Sequence, residues 1–95
     1  MKIIAIEKEL KQISGGSAAE VYKNEAKRVY ALYLSDTLRE IYLTEEHCAI
    51  LILECEGLDA VKQLLDALPL VQSGVIAFDV HELRPYRGYG RLMQE

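Results

Sequence analysis

The chain has 95 residues, 11 of them basic and 15 acidic, for a formal charge of −4. That length supports one modest core and not two, so a single domain over residues 1–95 is expected. The charge leaves no broad cationic surface for a phosphate backbone, which removes nucleic acid from the expected partners. No apolar stretch has spanning length, and Met1-Lys2-Ile3-Ile4-Ala5-Ile6-Glu7 meets an acid too early for a secretory segment. A cytoplasmic protein without membrane contact is the expectation.

In chain order, Ile3 to Glu9 is a β-rich run, and Gln12-Ile13-Ser14-Gly15-Gly16 has the composition of a loop. Ser17 opens a helix with Glu20 three residues later, the spacing of a reciprocal cap on two orphan amides. That helix runs to about Ser35-Asp36. A second strand, Thr37 to Leu43, turns through Thr44-Glu45-Glu46 into a third from His47 to Glu56, and the two should form a hairpin. Gly57 and Asp59 open a second helix, in which Val61, Leu64, Leu65 and Leu68 fall at i, i+3, i+4 and i+7. Pro69 closes it, because the residue before a proline avoids helical torsions. After Val71-Gln72-Ser73-Gly74 comes a fourth strand, Val75 to Val80. A tail over about 84–95 follows, interleaving Arg84, Arg87 and Arg91 with Tyr86 and Tyr89.

The order β-α-β-β-α-β, with right-handed crossovers, makes a ferredoxin-like α+β fold: a four-stranded antiparallel sheet with two helices on one face. First and third strands are then central. Those are the runs Ile3-Ile4-Ala5-Ile6 and Cys48 to Leu53, apolar at both parities although a strand need bury only one side. The helix-free face therefore needs a cover, and a second copy of the chain is the nearest candidate. Four or five large aliphatic side chains gaining roughly 2 kcal/mol each would favour a homodimer by about 8 to 10 kcal/mol before the entropy of association. The tail is expected to pack on the partner subunit, its tyrosines and Leu92 covering apolar surface while its arginines meet excess acids.

Cys48 and Cys55, seven positions apart on one strand, would lie about 23 Å from each other and cannot bridge within a chain. Both read as small buried hydrophobes, with Cys48 facing inward. Glu25 is the local anomaly. At about 100° per residue it falls inside the apolar stripe of Tyr22, Ala26, Val29, Leu32 and Tyr33, away from the polar arc of Lys23, Asn24, Lys27 and Arg28. A carboxylate there must be paired, wet or protonated. It is either a pocket acid or base beside Tyr22 and Tyr33, with Arg39 from the second strand, or a structural residue that pairs with Arg39 or lies near the helix end and reaches solvent. Ala77, Asp79 and His81 should face the dimer seam, and His47 shares parity with Ala49, Leu51 and Leu53. No HxxxH or CxxC spacing joins the histidines, so no metal and no cofactor are expected. The same strand order in RNA-binding domains needs aromatic residues on the central strands, and Ile3 to Ile6 and Ala49 to Leu53 have none.

Several segments carry a family resemblance: Glu25 to Tyr33 on the first helix, Leu38-Arg39-Glu40-Ile41-Tyr42 on the second strand, Leu68-Pro69-Leu70-Val71 with Gly74, and the tail from Leu83 through Gly88 to Leu92. Through them the whole chain resembles the small dimeric α+β-barrel proteins similar to muconolactone delta-isomerase and the YCII-type domains. The resemblance implies dimers packed sheet to sheet with small-molecule pockets. Members often place glycine after the first helix, where this chain has Asp36. Two functions follow. One is a cofactor-free isomerase moving a proton on a small cyclic acid or lactone, with Glu25 as the acid-base group, Arg39 holding a carboxylate, and Tyr22 or Tyr33 shaping the pocket. The other is a non-catalytic dimeric module that binds a metabolite or another protein.

Overall fold

The computed structural model of the chain describes residues 1–13 and 15–93. Its elements are β1 (Lys2–Glu9), α1 (Ala18–Leu34), β2 (Leu38–Leu43), β3 (Ala49–Glu54), α2 (Leu58–Asp66), α3 (Pro69–Gln72) and β4 (Ile76–Leu83), followed by a short 3-10 segment, Gly88–Met93. The four strands form one antiparallel sheet in the order β2-β3-β1-β4, so β1 and β3 are central. This is the α+β ferredoxin-like arrangement that the alternation of strand and helix periods predicts.

Register assigns the two faces. Ile3 pairs with Leu53 and Ala5 with Leu51, and these four, all buried, meet Val61, Leu65 and Leu68 from the α2 side and Leu38 from β2. Ile4, Ile6, Ile50 and Ile52 point the other way, where Tyr42 and Leu83 are also exposed. Ala77, Asp79 and His81 share that helix-free side, through pairing with Lys8, Ile6 and Ile4. Lys8 and Asp79 close a salt bridge there at 3.1 Å.

Several boundaries differ from the sequence reading, each for a local reason. The third strand starts at Ala49, because Thr44, Glu45, Glu46 and His47 form a turn with His47 in the left-handed region (φ 65°). His47 N–H donates to the Thr44 carbonyl at 2.9 Å and Thr44 N–H to the Cys48 carbonyl at 2.9 Å, a three-residue hairpin loop that takes His47 out of the strand. Ser17 makes no side-chain cap, since its own torsions (φ −89°, ψ −6°) are already helical. The second helix divides at Leu68, held extended (φ −71°, ψ 134°) by the proline that follows. Pro69 then begins α3, a short helix absent from the sequence reading, with its missing N–H at a position that has no helical partner anyway. The fourth strand continues to Leu83. Both thiols are free and partly buried, and burial pushes Cys55 up from the usual range.

Asp36 stands where the resemblance leads one to expect glycine, and it adopts the glycine conformation, φ 63°. Thr37 N–H donates to the Leu32 carbonyl and Asp36 N–H to the Tyr33 carbonyl, each at 3.1 Å, the paired bonds that finish a helix through a left-handed residue.

Beyond β4 the chain leaves the body. Tyr86, Tyr89, Leu92 and Met93 are 71–86% exposed, and the Cα radius of gyration is 16.1 Å where a compact chain of this length has about 12 Å. The tail nevertheless has local order. The Tyr86 and Tyr89 rings meet edge to face at 4.9 Å, and the Tyr86 phenol lies over Gly88 where a Cβ would collide with it. Residues 94 and 95 of the expected partner-covering tail lie outside the described residues.

Candidate functional site

Helix α1 has no fully buried side chain. Val29 and Leu32 touch the core only partly, and the helix stands off the sheet. The wedge between them is a cavity of about 550 Å³. Its helical wall is Tyr22, Glu25, Ala26, Val29, Tyr30 and Tyr33, successive positions of one stripe along α1. Its sheet wall includes Glu7, Ile41, Ala49, Leu51 and Phe78, and Leu68 and Leu70 close one end. The lining is mostly aliphatic and aromatic with two carboxyls, the composition of a small-ligand site.

Glu25 is half-buried at the end of the cavity next to α3. Its Oε1 accepts the Leu70 backbone N–H at 3.0 Å. Leu68, the residue that precedes α3 at the capping position, has no side-chain oxygen to cap it, so a carboxylate from α1 supplies the missing acceptor. Burial pushes the Glu25 carboxyl above the usual carboxylate range; the Leu70 N–H pulls it back in part, and the negative charge of Glu7 pushes it further up. Glu7 reaches the site from β1, the third residue of the alternation Ile3-Ala5-Glu7 on the helix-covered face, and its Oε1 accepts the Ala49 N–H at 3.2 Å.

Of the residues proposed from sequence, the cavity brings together Glu25, Tyr22 and Tyr33. Arg39 is elsewhere. The register between β2 and β3 slips by one between Leu38 and Glu40, leaving Arg39 as the extra residue of a bulge. Its Nε donates to the Asp36 carbonyl at 2.6 Å, so it neither pairs with Glu25 nor enters the cavity wall. Tyr30 and Glu7 are the polar lining residues that the sequence did not single out. Tyr30 stacks on Tyr33 at 6.4 Å between ring centroids, with 19° between the planes. His47 and His81 are exposed, and among the described residues no three His, Cys, Asp or Glu side chains converge as a metal site would require.

The sheet, its strand order and the helices packed on one face define a ferredoxin-like α+β fold, and two solved structures share it. The crystal structure of muconolactone isomerase superposes with a TM-score of 0.78 at 16% identity, over 92% of each chain. A second similar structure is 5-chloro-2-hydroxyhydroquinone dehydrochlorinase (TftG) from Burkholderia phenoliruptrix AC1100, in complex with 2,5-dihydroxybenzoquinone: TM-score 0.63, 19% identity, 93% of this chain and 98% of that one. At such identities the likeness establishes the fold, and site residues do not transfer with it. No protein-family model and no curated protein sequence matches the chain. Among the described residues no helix is long and apolar enough to cross a membrane.

Proposed function

We propose that the chain is a small cytoplasmic protein that binds a cyclic small molecule in the wedge between α1 and the sheet, with Glu25 transferring a proton on the bound ring. The observation that carries this reading is a largely apolar cavity of about 550 Å³ holding a half-buried carboxyl whose pKa is raised. Such a group exchanges protons closer to neutrality than a solvated glutamate, as general acid-base chemistry requires. Tyr22 and Tyr33 line the cavity, and Arg39 lies outside its wall. The fold shared with an isomerase and a dehydrochlorinase supports the same chemical class. The chain acts as one domain in a homodimer: the face bearing Ile4, Ile6, Ile50 and Ile52 packs on its twin, and the tail crosses to the partner.

A second reading, a binding module without catalysis, is favoured by the Leu70 N–H bond, which gives Glu25 a structural task. Solvent-deuterium incorporation into a small unsaturated lactone, followed by NMR, separates the two. The enzyme reading expects exchange that falls at least tenfold in Glu25→Gln; equal exchange in both proteins excludes Glu25 as the acid-base group.

A further inference from the structure

We infer that the cavity selects an organic cation, an apolar ring or chain carrying a protonated or quaternary nitrogen, over a carboxylate of the same shape. The inference rests on the cavity being a ligand site and names the class of ligand that site takes.

Three features of the wall lead there. Its charged groups are Glu7 from the sheet and Glu25 from α1, and among the described residues none of its lining side chains is Lys, Arg or His. Neither carboxyl has a salt-bridge partner among the described residues, and each spends only Oε1 on a backbone N–H: Leu70 for Glu25 and Ala49 for Glu7. The second oxygens remain as acceptors for a donor that carries charge but accepts nothing, which describes an ammonium group. Tyr22, Tyr30 and Tyr33 line the mouth, half or more exposed, with Tyr30 and Tyr33 stacked. Aromatic faces attract cations through their quadrupole. A carboxylate ligand meets the opposite: two like charges in a half-dry wedge, where repulsion is stronger than in water. The one cation that the sequence placed beside Glu25 to hold an anion, Arg39, is absent from the cavity wall, its Nε donating to the Asp36 carbonyl.

The test uses one ring with three substituents: 1-naphthylmethylammonium, 1-naphthalenemethanol and 1-naphthoate, titrated into the full chain at neutral pH by calorimetry. The ammonium compound should bind at least tenfold tighter than the carboxylate, with the alcohol between them. The double variant Glu7→Gln, Glu25→Gln should cut the ammonium-to-carboxylate ratio at least tenfold and keep measurable alcohol binding, which also shows that the cavity survives the substitutions. Ala26→Trp, at the exposed rim, should block the ammonium compound. Naphthoate binding as tightly as the ammonium compound, or a ratio indifferent to the double variant, overturns the inference while leaving the cavity a ligand site, whereas ammonium binding indifferent to Ala26→Trp places the compound outside the cavity and overturns the inference there. Failure of all three compounds to bind removes the ligand site itself, and the inference with it.

Discussion

At the scale of single residues, Glu25 does two jobs that pull in opposite directions. Its hydrogen bond to Leu70 favours the ionised form, whereas burial and Glu7 favour the neutral one, and burial is the largest of the three influences. A carboxyl whose folded pKa lies above its unfolded value costs nothing below the unfolded value; the cost builds as the pH rises from there and is complete above the folded value. Wild type should therefore lose ground to Glu25→Gln as the pH climbs from the ordinary carboxylate range, about 4.3, towards neutrality. Thermal melts of both proteins across that interval check this, and a constant difference refutes it. Glu25→Ala should be worse than Glu25→Gln by about 1 kcal/mol, since it removes the acceptor from Leu70 N–H. A helical wheel reveals Glu25 from sequence, and the alternation Ile3-Ala5-Glu7 carries the same information for Glu7. Nothing in Leu38-Arg39-Glu40 marks the bulge that takes Arg39 away, because a bulge is a property of two strands paired and not of one.

At the scale of elements, the strands and helices follow from periodicity, while their ends follow from torsions that periodicity does not encode. Asp36 and His47 show this most directly: both sit at positive φ, one finishing α1 and one closing the β2–β3 turn. A side chain with a Cβ adopts that region at a cost that glycine escapes. Asp36→Gly should stabilise the fold by about 0.5 to 1 kcal/mol, because the bonds to Leu32 and Tyr33 use backbone atoms that glycine retains. Denaturant titration checks the sign. A loss of stability instead would mean that the Asp36 carboxylate holds something that its backbone does not. The division of α2 from α3 was half legible: Pro69 announces the stop, but the new helix beginning at the same proline depends on an acceptor supplied from α1, forty-five positions away in the chain.

At the scale of the whole molecule, the doubly apolar central strands read correctly as a sheet covered on one side only. Ile4, Ile50 and Ile52 are partly exposed on the other, with Ile6, Tyr42 and Leu83 open to solvent beside them. A continuous patch of that kind is uncommon on monomers. Ile52→Glu, at the centre of the patch, should convert the proposed dimer to monomer in light scattering at micromolar concentration. Removing everything after Pro85 should weaken association without changing the melting of a single subunit. A wild-type chain that is itself monomeric at that concentration would refute the dimer. The cavity lies on the opposite side of the sheet from this patch, so the two proposals fail independently.

The ring of Tyr86 resting over Gly88 and against Tyr89 has a thermodynamic consequence. A floppy arm must surrender its rotamers and backbone freedom when it finds a receptor, and that lost entropy is subtracted from whatever contacts it gains. Here part of the ordering is already in place among Tyr86, Gly88 and Tyr89, so the proposed docking on a partner subunit resembles the fitting of a shaped key more than the threading of a loose string.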